Sequence, residues 1–389
     1  MDNPSKIEEF VLNKKSTTFI KKLNKNLKGA EAIIGGSVAK GTWLKGEHDV
    51  DVFVLFYKDG RLSDILEYAL KKSFKNVERI RGSRDYFQIR VYGLNFEIVP
   101  VLKIKNAKDA KNITDVSPMH IAWVKKNIGK LNNDVRLLKR FCKAQCVYGA
   151  ESYIKGFSGY VTEILIIYYK GFENLVKNAV NWKSGMVLDV EAHKSKIEKS
   201  KLSPLVIIDP VDNKRNACAA LSEEKFKRFI SACKGYLTNP GKNFFEVKEI
   251  NIKDLKDKDI ILRVFPLEGR KDVIGAKILK CLEIIKNKLK EEGYVVVESD
   301  WYWNKEALFW FKVKSIELPP YKKHYGPPIY MKENVNDFRL KWKGYNILEE
   351  GKIYVNIPRE NIKLSDFMKK LIKNEDFKGY VAGIRIVKS

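Results

Sequence analysis

The chain has 389 residues, 44% of them hydrophobic, which is more than one ordinary core holds, so two or three folded domains are expected. It carries 74 Lys and Arg against 48 Asp and Glu, a formal net charge of +26 spread along its whole length. Solvated helix faces of a Lys-rich protein explain only part of that surplus, and a polyanionic partner explains the rest. Only 14 of the basic residues are Arg, so the surface suits backbone phosphates better than base edges. The five cysteines, Cys142, Cys146, Cys218, Cys233 and Cys281, are scattered and read as buried thiols rather than as a metal site. The chain shows no secretory signal and no apolar run long enough to span a membrane, which predicts a soluble, cytoplasmic protein.

In chain order, residues 6–27 read as a helix and 31–34 as a short strand. Gly35-Gly36 forms a turn, and Ser37 opens a second helix. Glycines let backbone approach a triphosphate, and N–H groups with the Ser37 hydroxyl can bind its oxygens. Twelve residues on, Asp49 to Phe56 reads D-V-D-V-F-V-L-F. A strand alternates its side chains, so Asp49 and Asp51 share one face while Val50, Val52, Val54 and Phe56 share the other. At ~3.3 Å rise per residue the two carboxylates start roughly 6.6 Å apart, within reach of a pair of Mg2+ ions about 3.5 to 4 Å apart. Taken singly, Gly-Gly-Ser is a loop and Asp-Val-Asp the wet side of a half-buried strand. In this order they are the elements of nucleotidyl transfer.

Residues 62–72 read as a helix, and 86–92 with 95–104 as a hairpin around Gly93. Glu97 shares a face with Asn95 and Val99, which makes it a candidate third metal carboxylate; its plain alternative is an edge-strand surface residue. Ser117 is expected to cap a helix with Pro118 at its first position, and His120 lies one turn inside. The segment 133–235 reads as mainly helical. Its first helix puts Val135, Leu138, Phe141, Cys142 and Cys146 toward a core and leaves Lys139, Arg140 and Lys143 available for phosphates. A second apolar helix follows G-F-S-G-Y. Strand 205–208 then runs into the polar loop D-P-V-D-N-K-R-N, ahead of a helix capped by Ser222. From about residue 259 a β-α-β-β pattern appears: 260–265, 272–292, 294–298 and 307–317. Trp301, Trp303, Phe309 and Phe311 are either core or stacking surfaces for bases. A last helix is expected at 364–373.

Three segments together resemble the archaeal, class I CCA-adding enzymes, tRNA nucleotidyltransferases of the polymerase-beta-like superfamily: G-G-S-V-A-K-G-T-W-L with D-V-D-V-F-V-L-F; N-D-V-R-L-L-K-R-F with V-Y-G-A-E and G-F-S-G-Y; and D-P-V-D-N-K-R-N. The resemblance implies an α+β multidomain chain: a polymerase-beta-like nucleotidyltransferase head with a small mixed sheet (1–130), a mainly helical neck (131–258), and a ferredoxin-like or RRM-like body and tail that hold tRNA (259–389). It implies addition of C, C and A to the tRNA 3' end from CTP and ATP without a nucleic-acid template, with Mg2+ as cofactor.

Carried onto this sequence, Asp49, Asp51 and Glu97 correspond to the metal-binding and catalytic triad. Gly36, Ser37, Lys40, Ser117 and His120 correspond to triphosphate contacts, and Lys139 and Tyr148 line the nucleotide pocket. Arg215 corresponds to the arginine that reads the incoming base with the RNA end, and Ser37, Lys40 and Arg215 also face tRNA. Two positions depart from the family's usual pattern: Glu97 stands where Asp is usual, and Lys40 where Arg is common. The C-terminal portion is also shorter than usual. The competing readings are another polymerase-beta-like transferase, such as a poly(A) polymerase or an oligoadenylate synthase, separated by CTP use, and a catalytically silent RNA-binding protein, excluded by Mg2+-dependent pyrophosphate release. The sequence leaves the oligomeric state open, a homodimer included.

Overall fold

The computed structural model describes residues 3–47, 49–82, 84–373 and 377–388. They form two compact units, 1–248 and 249–389. The first contains α1 (Lys6–Asn24), β1 (Ala30–Ile34), α2 (Gly36–Lys40), β2 (Asp49–Phe56), α3 (Leu62–Ser73), β3 (Glu78–Ile80), β4 (Tyr86–Val91), β5 (Leu94–Leu102), α4 (Ser117–Asn127), α5 (Asn132–Ala144), α6 (Gly159–Tyr169), α7 (Phe172–Ala179), β6 (Met186–Asp189), β7 (Leu205–Asp209), β8 (Asp212–Asn216) and α8 (Glu223–Thr238).

β1 to β5 make one sheet in the order β1-β2-β5-β4-β3. β2 and β5 run parallel and the other neighbours antiparallel, so the sheet is mixed. Alternation decides which face of β2 is buried: Val50, Val52 and Val54 are fully buried beneath the sheet, with Phe96 and Ile98 of β5 beside them. Below them Phe19 of α1 is sandwiched by Phe96 and Phe74, with ring centroids 3.9 and 4.3 Å away. α1 is held at its start by a reciprocal cap, in which Ser5 Oγ accepts from the Glu8 N–H and Glu8 accepts from the Ser5 N–H. β5 is the middle strand of five, so the edge-strand alternative for Glu97 does not hold.

The segment expected to be mainly helical also folds a small sheet, β6-β7-β8. β7 is buried along its whole length. β7 is the strand expected at 205–208, whereas β6 and β8 were not expected. The D-P-V-D-N-K-R-N stretch is not a loop but the end of β7, a two-residue turn and the second arm of a hairpin, β8, with Ile208 opposite Asn216. In α5, Val135, Leu138, Phe141 and Cys142 are buried as expected, but Cys146 is exposed. The helix ends at Ala144, and Cys146 turns away with φ +56°. Ser117 also differs from expectation. A 3-10 turn (Ile113–Val116) leads straight into α4, so Val116 and Ser117 both have helical backbone angles and Ser117 does not cap. Ser222 caps α8 as expected, accepting from the Lys225 N–H.

The second unit contains β9 (Ile260–Phe265), α9 (Lys271–Glu292), β10 (Val296–Trp303), β11 (Ala307–Val313), β12 (Tyr321–Pro328), α10 (Lys332–Lys341), β13 (Ile347–Glu350), β14 (Lys352–Pro358), α11 (Leu364–Ile372) and β15 (Gly383–Lys388). Its main sheet is antiparallel in the order β10-β11-β9-β15. Counting β9, α9, β10, β11, α11 and β15 in sequence gives the β-α-β-β-α-β order of the ferredoxin-like fold. The three-stranded sheet β12-β14-β13 and α10 are inserted before α11. Phe309 and Phe311 are fully buried in the core under α9 and cannot stack on bases; Trp301 and Trp303 are half-buried against that core.

Candidate active site

The carboxylates sit on the open face of the parallel pair β2 and β5. Asp51 lies opposite Glu97 and Asp49 opposite Asn95. Asp49 is exposed, whereas Asp51 and Glu97 are half-buried. Asn95 donates to Asp49 Oδ1 at 3.0 Å, and Gln88 of β4 donates to Glu97 Oε2 at 3.4 Å. The glycine turn is packed onto Asp51. The Gly35 N–H donates to the Asp51 carbonyl at 2.7 Å. A Cβ on Gly36 would lie 1.5 Å from Asp51 Oδ2, and Gly36 has φ +55°. Both conditions demand glycine there.

Burial raises the Asp51 pKa; the nearby charge of Lys40 opposes this, and that of Asp49 adds to it. Two carboxylates on one face, one of them half-buried, favour a hard cation between them and substrate phosphates. That donor set fits a divalent metal. Among the described residues, no three His, Cys, Asp or Glu side chains already form a closed metal group, and Glu97 is turned toward Gln88.

Beside the sheet lies a chain of buried polar contacts drawn from α2, α4, α5, α6, β7 and β8. Glu163 of α6 is fully buried. Its Oε2 accepts from Lys40 Nζ at 2.5 Å, and its Oε1 accepts from the Thr42 hydroxyl at 2.6 Å and lies 3.8 Å from Lys139 Nζ. Lys139 also donates to the Thr42 carbonyl at 3.0 Å. Burial lowers the Lys139 pKa to about 8, against the pull of Glu163. Lys139 is therefore an interior residue, not one on an open phosphate-facing surface, and Lys143 is paired with Glu47 at 2.6 Å. The half-buried Tyr148 faces the start of α6, where a Cβ on Gly159 would lie 3.1 Å from its hydroxyl and 3.8 Å from Lys139 Nζ; burial pushes the Tyr148 pKa up.

One turn before Glu163, Tyr160 carries the chain onward. Its ring lies 5.9 Å from Lys40 Nζ and stacks on His120 with centroids 4.1 Å apart. Its hydroxyl donates to Asp209 Oδ1 at 3.1 Å, while His120 Nε2 is 3.1 Å from Asp209 Oδ2 and Arg215 donates to that same oxygen. Asp209 is fully buried. Burial alone would raise its pKa, but His120, Arg215 and the Val211 N–H together hold it down at about 2.

The fold thus brings Lys40, Lys139, His120 and Arg215 into one connected group, with Tyr148 beside Lys139. Ser37 and Ser117 stand in the first turns of α2 and α4, outside this hydrogen-bonded chain. Sequence reasoning gave no role to Glu163, Thr42, Tyr160 or Asp209. Glu163 had a signal: it is a lone carboxylate in the apolar run V-T-E-I-L-I-I, where an unpaired charge would be costly.

A mixed five-stranded sheet with paired aspartates on one strand, against which a Gly-Gly-Ser turn is packed, defines a polymerase-beta-like nucleotidyltransferase. Family models agree: the nucleotidyltransferase domain matches residues 16–120, the second domain of tRNA nucleotidyltransferase matches 133–246, and the C-terminal domain of CCA-adding enzymes matches 269–380. The CCA-adding enzyme of Nanoarchaeum equitans is 39% identical over 341 residues, covering 84% of this chain and 83% of that one. That of Sulfurisphaera tokodaii is 33% identical over 378 residues, covering 94% and 88%. The chain belongs to the archaeal CCA-adding enzyme family. Among solved structures, a cytoplasmic RNA terminal U-transferase superposes with a TM-score of 0.49 at 14% identity, covering 63% of this chain and 95% of that one.

Proposed function

We propose that this nucleotidyltransferase extends the 3' end of tRNA by C, C and A from CTP and ATP, with Mg2+ held by Asp49, Asp51 and Glu97. The observation that carries the site assignment is the shared face of β2 and β5, with Gly36 packed on Asp51 so closely that no side chain fits there. When bound, Mg2+ supplies Lewis acidity toward the RNA hydroxyl and charge compensation for the departing pyrophosphate. The chain's own groups bind and orient. Gly36 lets the turn lie directly against the Asp51 carboxylate, and Ser37, Ser117, Lys40 and His120 are the proposed triphosphate contacts. Tyr148 lines the nucleotide pocket, with the buried Lys139 behind it. Arg215 presents a planar set of donors to acceptors on a base edge, and its pairing with Asp209 fixes the plane of that fork. Positioning of this kind does most of the work in phosphoryl transfer, and no covalent nucleophile is needed.

By this reading residues 1–130 are the catalytic head, 131–258 the neck that completes the nucleotide pocket, and 259–389 the body and tail that hold tRNA, in the cytoplasm. Among the described residues no helix is long and apolar enough to cross a membrane. The +26 net charge supports a nucleic-acid partner, and affinity for tRNA is expected to fall steeply with salt. The test is pyrophosphate release from CTP in the presence of Mg2+ and tRNA ending at its discriminator base. Release that needs both Mg2+ and tRNA is expected. No release, or undiminished release by Asp51→Asn, would sink the assignment.

A further inference from the structure

We propose that Glu163 is a positioning residue for nucleotidyl transfer, holding the Lys40 ammonium beside the carboxylate face where a nucleotide's phosphates meet it. This rests on the functional reading above and deepens it. Lys40 ends the short helix α2, and both of its ends are fixed. Its carbonyl accepts from Asn132 Nδ2 at 2.9 Å, and the next carbonyl, of Gly41, accepts from the same amide at 3.2 Å. Its ammonium meets Glu163 Oε2 at 2.5 Å. Lys40 stands one turn along α2 from Gly36, which is packed directly on Asp51, so the helix that carries Lys40 abuts the carboxylate face.

An ammonium has three donors on a flexible stem. One donor is used on Glu163, which leaves others for phosphate oxygens while the stem is already ordered. A lysine that lacked this anchor would lose rotamer freedom on binding substrate. Glu163 itself is fully engaged, with Lys40 on one oxygen and Thr42 on the other, and it is fully buried. It is not placed to bind a metal or move a proton, and it acts through Lys40. A purely structural tether is a poor account of it, because well-packed apolar side chains commonly replace a buried ion pair at no cost in stability.

The test is steady-state kinetics of CTP and ATP addition to tRNA by wild type, Glu163→Gln, Lys40→Met and the double variant, with a thermal melt of each. Glu163→Gln keeps the side chain's shape and loses its charge. It is expected to raise KM for both nucleotides roughly ten- to hundredfold, with kcat within about threefold. In the Lys40→Met background the same change should add less than about twofold, since the interaction it acts through is gone. A folded Glu163→Gln enzyme with wild-type KM overturns the proposal. Should Glu163→Gln fail to fold, the double variant lacks both partners of the pair and carries the comparison: KM equal to that of Lys40→Met supports the proposal, and a further rise of about tenfold overturns it. A wild-type protein that adds no nucleotide overturns the functional reading and this inference together. An active wild type with an indifferent Glu163 overturns this inference alone.

Discussion

The carboxylate face of β2 and β5 and the polar chain centred on α6 lie in the same unit but are built by opposite means. On the sheet, Asp49 and Asp51 are two residues apart on one strand, and Glu97 is their neighbour by strand pairing; the cost of gathering negative charge is limited by keeping Asp49 exposed. In the α6 chain the charges are gathered from far apart in sequence and buried. Glu163 meets Lys40 and Thr42, more than a hundred residues upstream, and Asp209 meets His120 89 residues upstream. One region leaves negative charge open for a cation. The other closes its negative charge with the protein's own cations, leaving those cations oriented. On the proposed reading, chemistry belongs to the first and positioning to the second.

The comparison can be broken most severely at the sheet. Asp49→Asn or Asp51→Asn is expected to lower single-turnover addition of both nucleotides on the order of a thousandfold or more, with tRNA binding kept. Glu97→Gln should be severely impaired too, and near wild-type addition by it would show that two carboxylates suffice. Gly36→Ala comes next. Its methyl would overlap Asp51 Oδ2 at a positive φ, so activity should fall by roughly a hundredfold while stability falls by about 1 to 3 kcal/mol; a crystal structure with Asp51 unmoved would refute the packing argument.

Smaller effects are expected in the α6 chain. Arg215→Ala should blunt the preference for C and A over U and G by roughly ten- to a hundredfold, measured as incorporation of each nucleotide onto tRNA ending before C, after C and after C-C. Unchanged selectivity at all three ends would make the β7–β8 hairpin structural only. The smallest effect is a pH dependence. The folded pKa of Asp209 is depressed to about 2 from its ordinary value of 3.8, so its contribution is present above about pH 4 and lost as pH falls toward 2. Asp209→Asn should cost on the order of 2 kcal/mol in urea unfolding near pH 5, and the gap should close near pH 2.

The sheet face was legible because a strand's alternation is local. The D-V-D-V-F-V-L-F run orients two carboxylates without any knowledge of the rest of the chain, and the Gly93 hairpin brings Glu97 to the same side. The α6 chain was not legible as a network. Periodicity placed Lys139 on a polar face of α5, and only the packing of α5 against α6 and the α2 end buries it. The β8 arm was hidden for a different reason: its partner β7 is readable as a strand, but the Pro- and Asp-rich stretch that follows reads as a loop. In the second unit the helix–strand succession was readable up to β11 and again at α11, but not in the inserted β12, α10, β13 and β14. The closing strand β15 was not, since its place in the order depends on pairing with β9, more than a hundred residues earlier.

The most direct measurement is the sequence of the 3' ends produced when the wild-type protein, Mg2+ and all four nucleoside triphosphates act on tRNA ending at its discriminator base. The account predicts addition of C, C and A followed by a stop. A lengthening A tail, incorporation of U, or failure to use CTP would contradict it.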